Sequence, residues 1–250
     1  MDHKKPHKPI KVLGKNGKPF LVSNGEYDQF LSESNDSQLI PKVSRILIVA
    51  DGPSSHIFKD RQSLNMIPNN VKLLAVNGVI SWLPRVDFYF TLDPDKRQYS
   101  YMQRPRRGVT YFAAVPDDYG TIHARSPTHQ VPKLTHVRYL KRISGEGTLI
   151  DRERVVLGIN KTYGHINTGN SAWGALGLAH HMGCQKVALI GVDGCNSYRS
   201  SGGKSRNLSH LSTLFQSYNG NPEVINLSRF SNIRRFPKFC LGDGLKWLEK

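Results

Sequence analysis

Short runs of β-branched and other apolar residues alternate along the chain with segments of helical spacing. Such runs, bounded by glycine and polar residues, are typical of strands buried on both faces, and their alternation with helices is typical of βαβ units. The pattern therefore predicts an α/β protein with a Rossmann-like, mostly parallel sheet and helices on both faces. The predicted strands are Arg45 to Ala50, Val71 to Val76, Val86 to Thr91, Val109 to Val115, Lys186 to Ile190 and Glu223 to Leu227.

Two parts of the chain depart from this alternation. Residues 1–42 are rich in Lys, Pro, Gly, Ser and Asn, and they carry apolar clusters only at Ile10 to Leu13 and Pro19 to Val22. This composition predicts an N-terminal arm or hairpin, followed by a single Rossmann-like domain over residues 43–250. At about residues 123–165, neither strand nor helix periodicity persists, so an irregular basic insertion or lid is expected there.

The clearest helix follows Thr168, Gly169, Asn170 and Ser171 and runs from Ala172 to Met182, before Gly183 and the strand from Lys186. Polar residues at the start and glycine at the end are the usual boundaries of a helix. Its many glycines and alanines have little side-chain bulk, so the helix could approach the sheet closely. Each glycine costs about 1 kcal/mol in helix propensity, and small residues at that cost suggest tight packing.

The charge of the chain indicates an anionic partner. Its 250 residues include 35 Lys and Arg against 19 Asp and Glu, a formal net charge of +16, while 38% hydrophobic residues exclude wholesale disorder. The longest apolar runs are far shorter than a membrane span, and no apolar stretch follows the first basic residues. Three cysteines without C-x-x-C spacing fit a reducing compartment, so we expect a cytoplasmic protein without membrane contact.

Residues that follow the predicted strands are the first candidates for a site, because ligands bind beyond the carboxyl ends of parallel strands. Gly52, Pro53 and Ser54 follow the first strand, where Gly52 permits close backbone approach and Ser54 can offer a helix start to a phosphate, with an ordinary βα turn as the alternative. They form neither a G-x-G-x-x-G nor a Walker-type motif. Asn77 can present its amide to a sugar or a base, although Asn77-Gly78 is also a common turn pair.

Further candidates surround the predicted helix. Thr168, Gly169 and Asn170 can hold a phosphate through free N–H groups; N-capping alone explains the hydroxyl residues but does not so easily explain Gly169. Asp193 can bind a ribose, a metal or an acceptor hydroxyl, or can form a local turn. Asp93 and Asp193 are the acids that could hold Mg²⁺ if a metal is used, and Asp93 could equally be a turn residue. His210 is the candidate general base.

Basic residues interleaved with tyrosines in the predicted loops suggest recognition of an acceptor polyanion, because cations bind phosphates and aromatic rings stack on bases. A basic surface that serves only solubility is the alternative. The residues predicted to bind acceptor or phosphate are Arg104, Arg106, Arg107, Arg142, Lys204 and Arg206.

Four blocks of sequence, taken in order, resemble bacterial sialyltransferases with a single Rossmann-like, glycosyltransferase-A-like domain, and the related group that contains MptE-like pterin diphosphokinases. They are Ile46 to Ser54, Val76-Asn77, Asn167 to Asn170 and Val187 to Asp193. The resemblance implies that Gly52, Ser54 and Asn77 hold the nucleotide, and that Thr168 and Gly169 contact the phosphate or sugar of the donor. Asp193 would line the pocket, and His210 falls where those transferases place their general base.

The resemblance and the charge together predict a glycosyltransferase that uses a CMP- or UDP-linked sugar and displaces the nucleotide directly. The hypothesised acceptor is a hydroxylated base in DNA, as in viral genome modification, which would place the protein in the host cytoplasm. Two alternatives stay open, namely a Mg²⁺-dependent diphosphokinase of the MptE-like type and a nucleic-acid-binding protein without catalysis.

Overall fold

The computed structural model describes residues 10–13, 19–22, 40–92, 96–116, 130–132, 134, 136–143, 155–194, 208, 210–229 and 231–250. In this part of the chain, two 3₁₀ helices, Pro53–Lys59 and Asn77–Ser81, accompany the α-helices. The α-helices are α1 (Arg61–Asn65), α2 (Lys96–Gln103), α3 (Ser171–His181), α4 (His210–Gln216) and α5 (Leu241–Glu249). None of the described helices is long and apolar enough to cross a membrane.

The strands are β1 (Ile10–Leu13), β2 (Pro19–Val22), β3 (Arg45–Val49), β4 (Lys72–Val76), β5 (Phe88–Thr91), β6 (Thr110–Pro116), β7 (Gln130–Pro132), β8 (Val137–Ile143), β9 (His165–Asn167), β10 (Lys186–Ile190) and β11 (Glu223–Asn226). Eight of them form the main sheet in the order β11-β10-β3-β4-β5-β6-β8-β9, and every neighbouring pair is parallel. The predicted α/β class with a parallel, Rossmann-like sheet is confirmed.

Both faces of the main sheet are buried, and the side chains alternate between them. Ile46 and Ile48 of β3 point to one face, where they join a cluster that contains α3 and α4 residues. Leu47 and Val49 point to the other face, where they pack with residues of both 3₁₀ helices and of α5. Helices on both faces explain why the strands read as continuous apolar runs in the sequence.

A second, three-stranded sheet involves the N-terminal region. Strand β1 pairs antiparallel with β2, as the predicted hairpin requires, and parallel with β7 on its other side. The antiparallel pairing of β1 and β2 is consistent with a hairpin, while the division into an N-terminal arm or hairpin and a domain over residues 43–250 stays a prediction.

The segment predicted as an irregular lid, about residues 123–165, contains a strand of the main sheet. Strand β8 pairs with β6 on one side and with β9 on the other. Its basic residues concealed the strand pattern: Val137 and Tyr139 are buried, while the Arg138 guanidinium lies 5.6 Å from the centre of the Phe112 ring. Burial lowers the pKa of Arg138. A basic residue can thus occupy a sheet by stacking on an aromatic neighbour.

Candidate functional site

The strand order creates a topological switch point between β3 and β10. The chain runs from β3 outward to β9 and then returns to β10 on the other side of β3. Because all eight strands are parallel, the residues that follow them meet along one side of the sheet, which we call the carboxyl edge. Ligands of open parallel sheets bind in the crevice at this edge, near the switch point.

The loops that follow β3 and β10 are hydrogen-bonded to each other at the switch point. The Gly52 N–H donates to the Gly191 carbonyl at 2.9 Å, and the Ala50 N–H donates to the Ile190 carbonyl at 2.8 Å. A Cβ at residue 191, where φ is +76°, would lie 2.0 Å from the Ala50 carbonyl oxygen. A Cβ at residue 52 would lie 2.5 Å from the Gly191 oxygen. Gly52 therefore lets two loops meet, and its predicted contact with a nucleotide stays a prediction.

Asp193 supplies a negative charge inside this junction. Its Oδ2 accepts the Ser54 N–H at 3.0 Å, and the residue is 8% exposed. The Ser54 hydroxyl lies 2.7 Å from that of Ser228 and accepts the Gly191 N–H at 2.8 Å. The carboxylate thus lies at the start of the 3₁₀ helix Pro53–Lys59, where the sequence suggested a nucleotide phosphate. A protein carboxylate and a phosphate compete for the same N–H group there.

Ser228 is a member of this junction that the sequence analysis missed. It is fully buried and follows β11, the strand next to β10. Asp193 was selected because it follows a predicted strand, which we call the strand-end rule. Ser228 also follows a predicted strand, so the same rule could have found it in the sequence.

Asn77, directly after β4, has two unusual features. Its φ is +55°, a left-handed conformation in which Asn is more frequent than most residues. Its Oδ1 atom is buried and has no hydrogen-bond partner within the described residues. The turn alternative explains the backbone conformation but leaves the oxygen unexplained, because an unpaired buried acceptor costs about 1–3 kcal/mol. A ligand that donates a hydrogen bond would remove this cost.

Arg142, near the end of β8, reaches along the carboxyl edge to two neighbours. Its Nε donates to Thr168 Oγ1 at 3.1 Å, and its Nη1 donates to the Leu92 carbonyl at 2.9 Å. Thr168 is buried, whereas Arg142 is half-buried and is the more accessible of the two. Leu92 follows β5, the neighbour of β4, so the guanidinium lies within about 10 Å, two strand spacings, of the end of β4.

Gly169 and Asn170 connect β9 to α3. Asn170 is the N-cap of the helix, because its Oδ1 accepts the Ala172 N–H at 2.8 Å. The cap is therefore neither Thr168 nor Ser171. Gly169 has a φ of +153°, and a Cβ there would lie 2.7 Å from a methyl group of Leu214 in α4. The glycine therefore allows α4 to pack against the start of α3.

His210 is the first residue of α4 and is 5% exposed. It precedes Leu214 by four residues, one helical turn, and therefore lies on the same face of the helix. Because Leu214 contacts Gly169, this face is directed at the start of α3. Leu214 thus connects the helix that carries His210 to the Thr168–Asn170 segment.

The three arginines that follow α2 have different environments. Arg104 and Arg107 are exposed. Arg106 instead donates from Nη1 to the carbonyls of Ile80 and Leu83, at 3.2 and 2.7 Å, and from Nη2 to the carbonyl of Pro84. These donors hold a loop, and a role of Arg106 in binding the acceptor stays a prediction.

The remaining candidates, Asp93, Lys204 and Arg206, lie outside the described residues. Within the described ranges, no group of three or more His, Cys, Asp or Glu residues could hold a metal ion. The use of Mg²⁺ by Asp93 and Asp193 stays a prediction.

Comparison with known proteins gives little further information. No protein-family model matches the chain, and no curated protein matches it. Among solved structures, the chain is similar to the MAf glycosyltransferase from Magnetospirillum magneticum AMB-1, at 11% sequence identity and a TM-score of 0.49. The match covers 84% of this chain and 37% of that one, so the chain spans little more than a third of that protein. A likeness at this level carries no functional argument, and function has to be argued from the site.

Proposed function

We propose that the protein transfers a sugar from a CMP- or UDP-linked donor to an acceptor hydroxyl. The observation that carries the proposal is the buried Oδ1 of Asn77 at the carboxyl edge, which has no partner in the part of the chain that the structure describes. A nucleotide offers what this atom lacks, since its ribose hydroxyls and base N–H groups donate hydrogen bonds. Its phosphates suit the Arg142 guanidinium, which lies within about 10 Å of the end of the same strand.

Arg142 is proposed to bind the phosphate of the donor. Its contacts with Thr168 and Leu92 fix the guanidinium before any ligand arrives, which reduces the entropy lost on binding. Thr168 is therefore assigned to orienting Arg142, because it is buried and its hydroxyl accepts from Nε. Charge-assisted hydrogen bonds of this kind are about twice as strong as neutral ones.

His210 is proposed to act as the general base. It accepts the proton of the acceptor hydroxyl as that oxygen attacks the anomeric carbon, and the bond from this carbon to the donor phosphate breaks. The nucleotide leaves with the bonding electrons, and Arg142 offsets the negative charge that develops on it. Asp193 is assigned to holding the switch-point loops together, because its Oδ2 is bonded to the Ser54 N–H.

The proposed acceptor is a hydroxylated base in DNA. Support comes from the net charge of +16 and from the exposed guanidiniums of Arg104 and Arg107. Binding to a polyanion releases counterions, so affinity for DNA should fall steeply as salt rises. Filter binding over a salt series tests this part alone, and an affinity that does not depend on salt contradicts it.

A thermal-shift screen of nucleotides tests the proposed function, since a ligand of the native state raises the melting temperature. We expect CMP, UMP or a corresponding nucleotide sugar to raise it without added Mg²⁺, and the Asn77→Gly variant to lose the shift. A shift with ATP that requires Mg²⁺ would favour a diphosphokinase. DNA binding without any nucleotide shift would favour a non-catalytic protein.

A further inference from the structure

A cavity of about 530 Å³ lies between the 3₁₀ helix Asn77–Ser81 and α2. One wall is formed by Ser100, Gln103 and Arg104. These positions have i, i+3 and i+4 spacing, so they lie along one side of the helix and its last turn. Tyr111 also lines the cavity and is near the amino end of β6, so the cavity extends into the half of the sheet opposite to the carboxyl edge.

The walls of the cavity are held in place by Arg106. Its guanidinium donates to the carbonyls of Ile80, Leu83 and Pro84, and its backbone N–H donates to the Tyr111 hydroxyl at 2.9 Å. One residue therefore ties the 3₁₀ helix and the loop after it to β6. A cavity formed before the ligand arrives is typical of binding sites, and about 300–1,000 Å³ is their usual volume.

The lining combines an aromatic ring, polar groups and positive charge. Tyr101 is half-buried, while the side chains of Ser81, Gln103 and Arg104 are exposed to the cavity mouth or to solvent. No acidic residue lines the cavity. In the described part of the chain, the single ion pair joins Lys72 and Asp87, so Arg104 has no acidic partner there. The site suits a ligand with a flat ring, hydrogen-bonding edges and negative charge.

We infer that this cavity is a second nucleotide-binding site. The base packs against Tyr101 and forms hydrogen bonds with Ser81 and Gln103, and the phosphate binds Arg104. Stacking on aromatic rings beside a cation is the usual way in which proteins hold single nucleotides of a strand. A free mononucleotide and a nucleotide within a single strand present the same groups, and both are covered by the inference. It does not rest on sugar transfer.

The test measures binding of deoxyadenosine monophosphate by calorimetry and of an oligodeoxyadenosine strand of about twelve nucleotides by anisotropy, on the full chain. Arg104→Ala is expected to weaken binding at least about tenfold, because a hydrogen bond to a charged group is lost. Arg104→Lys should retain part of the affinity. Arg61→Ala removes an equal charge from another exposed position, in α1, and should bind as the unmodified protein does.

The two probes distinguish the source of the nucleotide. Binding of the monophosphate that is lost in Arg104→Ala supports a site for free nucleotides, whereas binding of the strand alone, lost in the same variant, supports a site for nucleic acid. Arg104 is exposed, so this variant should fold, and a urea unfolding curve checks it. Tyr101→Leu gives a second variant with the same expected loss. The inference is overturned if neither probe binds or if the Arg104→Ala variant binds both probes normally. It is also overturned if binding is lost in the Arg142→Met variant but kept in Arg104→Ala.

Discussion

The two halves of the carboxyl edge differ in how their polar groups are paired. At the switch point, the Gly52 N–H, the Ser54 N–H and hydroxyl, and one oxygen of Asp193 are all bonded within the protein. We call this half the bonded half. In the other half, the open half, the Oδ1 of Asn77 is buried without a partner among the described residues, and Arg142 is only half-buried.

This difference shows that a polar residue at the end of a strand is not by itself evidence of a binding site. Polar residues follow the strands in both halves, yet the loop groups of the bonded half already have partners. The exception among its described residues is the Nδ2 atom of Asn226, the last residue of β11. Buried polar groups are almost always hydrogen-bonded, so an exception needs an explanation. The unpaired oxygen of Asn77 in the open half is the stronger evidence for a ligand, because Asn77 is half-buried whereas Asn226 is fully buried.

The largest effect is expected from His210, which tests the chemistry assigned to the open half. Replacing it by Gln removes the proton acceptor while keeping a similar size, and turnover should fall about 10²–10⁴-fold, the usual contribution of a general base. Donor affinity should be nearly unchanged because His210 is assigned to the acceptor. A radiolabelled sugar-transfer assay measures turnover, with His180→Gln as the matched control. Full turnover in the His210 variant would remove the residue from the mechanism.

Gly191→Ala tests the bonded half through stability. The new Cβ would lie 2.0 Å from the Ala50 carbonyl oxygen, and the alanine would have to adopt a left-handed backbone conformation. We therefore expect the free energy of unfolding to fall by about 3 kcal/mol or more. Gly183→Ala is the matched control: φ is +71° there, but the nearest atom, in Lys42, is 3.6 Å away. That variant should lose only about 1 kcal/mol, the cost of the conformation. Equal losses in urea unfolding would mean that the loops do not meet as described.

The sequence predicted the fold better than the site, for a physical reason. Strands β3, β4, β5 and β10 are buried on both faces and therefore stand out as apolar runs. Strand β8 did not, because it contains basic residues. Its half-buried Arg138 stacks on Phe112, which becomes a neighbour only in the folded sheet. An apolar pattern in the sequence indicates which residues are buried, but it does not indicate which residues of other strands they contact.

The same limit applies to the candidate site. Asp193, Ser54 and Asn77 were selected correctly as strand-end residues, but hydrogen-bond partners depend on which strands are neighbours. Ser54 and Ser228 are 174 positions apart and meet only because β11, β10 and β3 are adjacent. Likewise, Arg142 was grouped with the acceptor arginines by charge alone, whereas the structure places it against Thr168.

A smaller effect distinguishes Asn77 from Ser54. Asn77→Gly keeps the left-handed backbone and removes the unpaired oxygen, so stability should change by less than about 1 kcal/mol while nucleotide affinity falls about tenfold. Ser54→Ala should have the opposite profile: it removes the hydrogen bonds to Ser228 and from the Gly191 N–H, which keeps Ser228 as its other acceptor, and costs about 1 kcal/mol, with nucleotide affinity nearly unchanged. Calorimetric binding and urea unfolding of both variants measure the contrast. Loss of affinity in Ser54→Ala alone would assign the nucleotide to the bonded half.

The smallest effect concerns pH and the end of α3, remote from both halves. Burial, together with the positive charge of Lys161, lowers the pKa of His180. Burial is also the main cause of the lowered pKa of His181, although its ring bonds the His165 carbonyl. The unfolded chain therefore binds these protons at higher pH than the folded protein does, so stability should fall as pH drops below about 6.5.

Between about pH 7.5 and pH 5.5, the melting temperature should fall measurably through these two histidines. His181→Gln keeps a side-chain donor for the His165 carbonyl and should flatten the pH dependence. His136→Gln is the control, since His136 lies elsewhere, with its Nε2 at 2.7 Å from the Met102 carbonyl. Because the pH effect arises away from the carboxyl edge, nucleotide affinity should not follow it. A melting temperature that rises in acid, or a pH dependence unchanged in His181→Gln, would contradict this assignment.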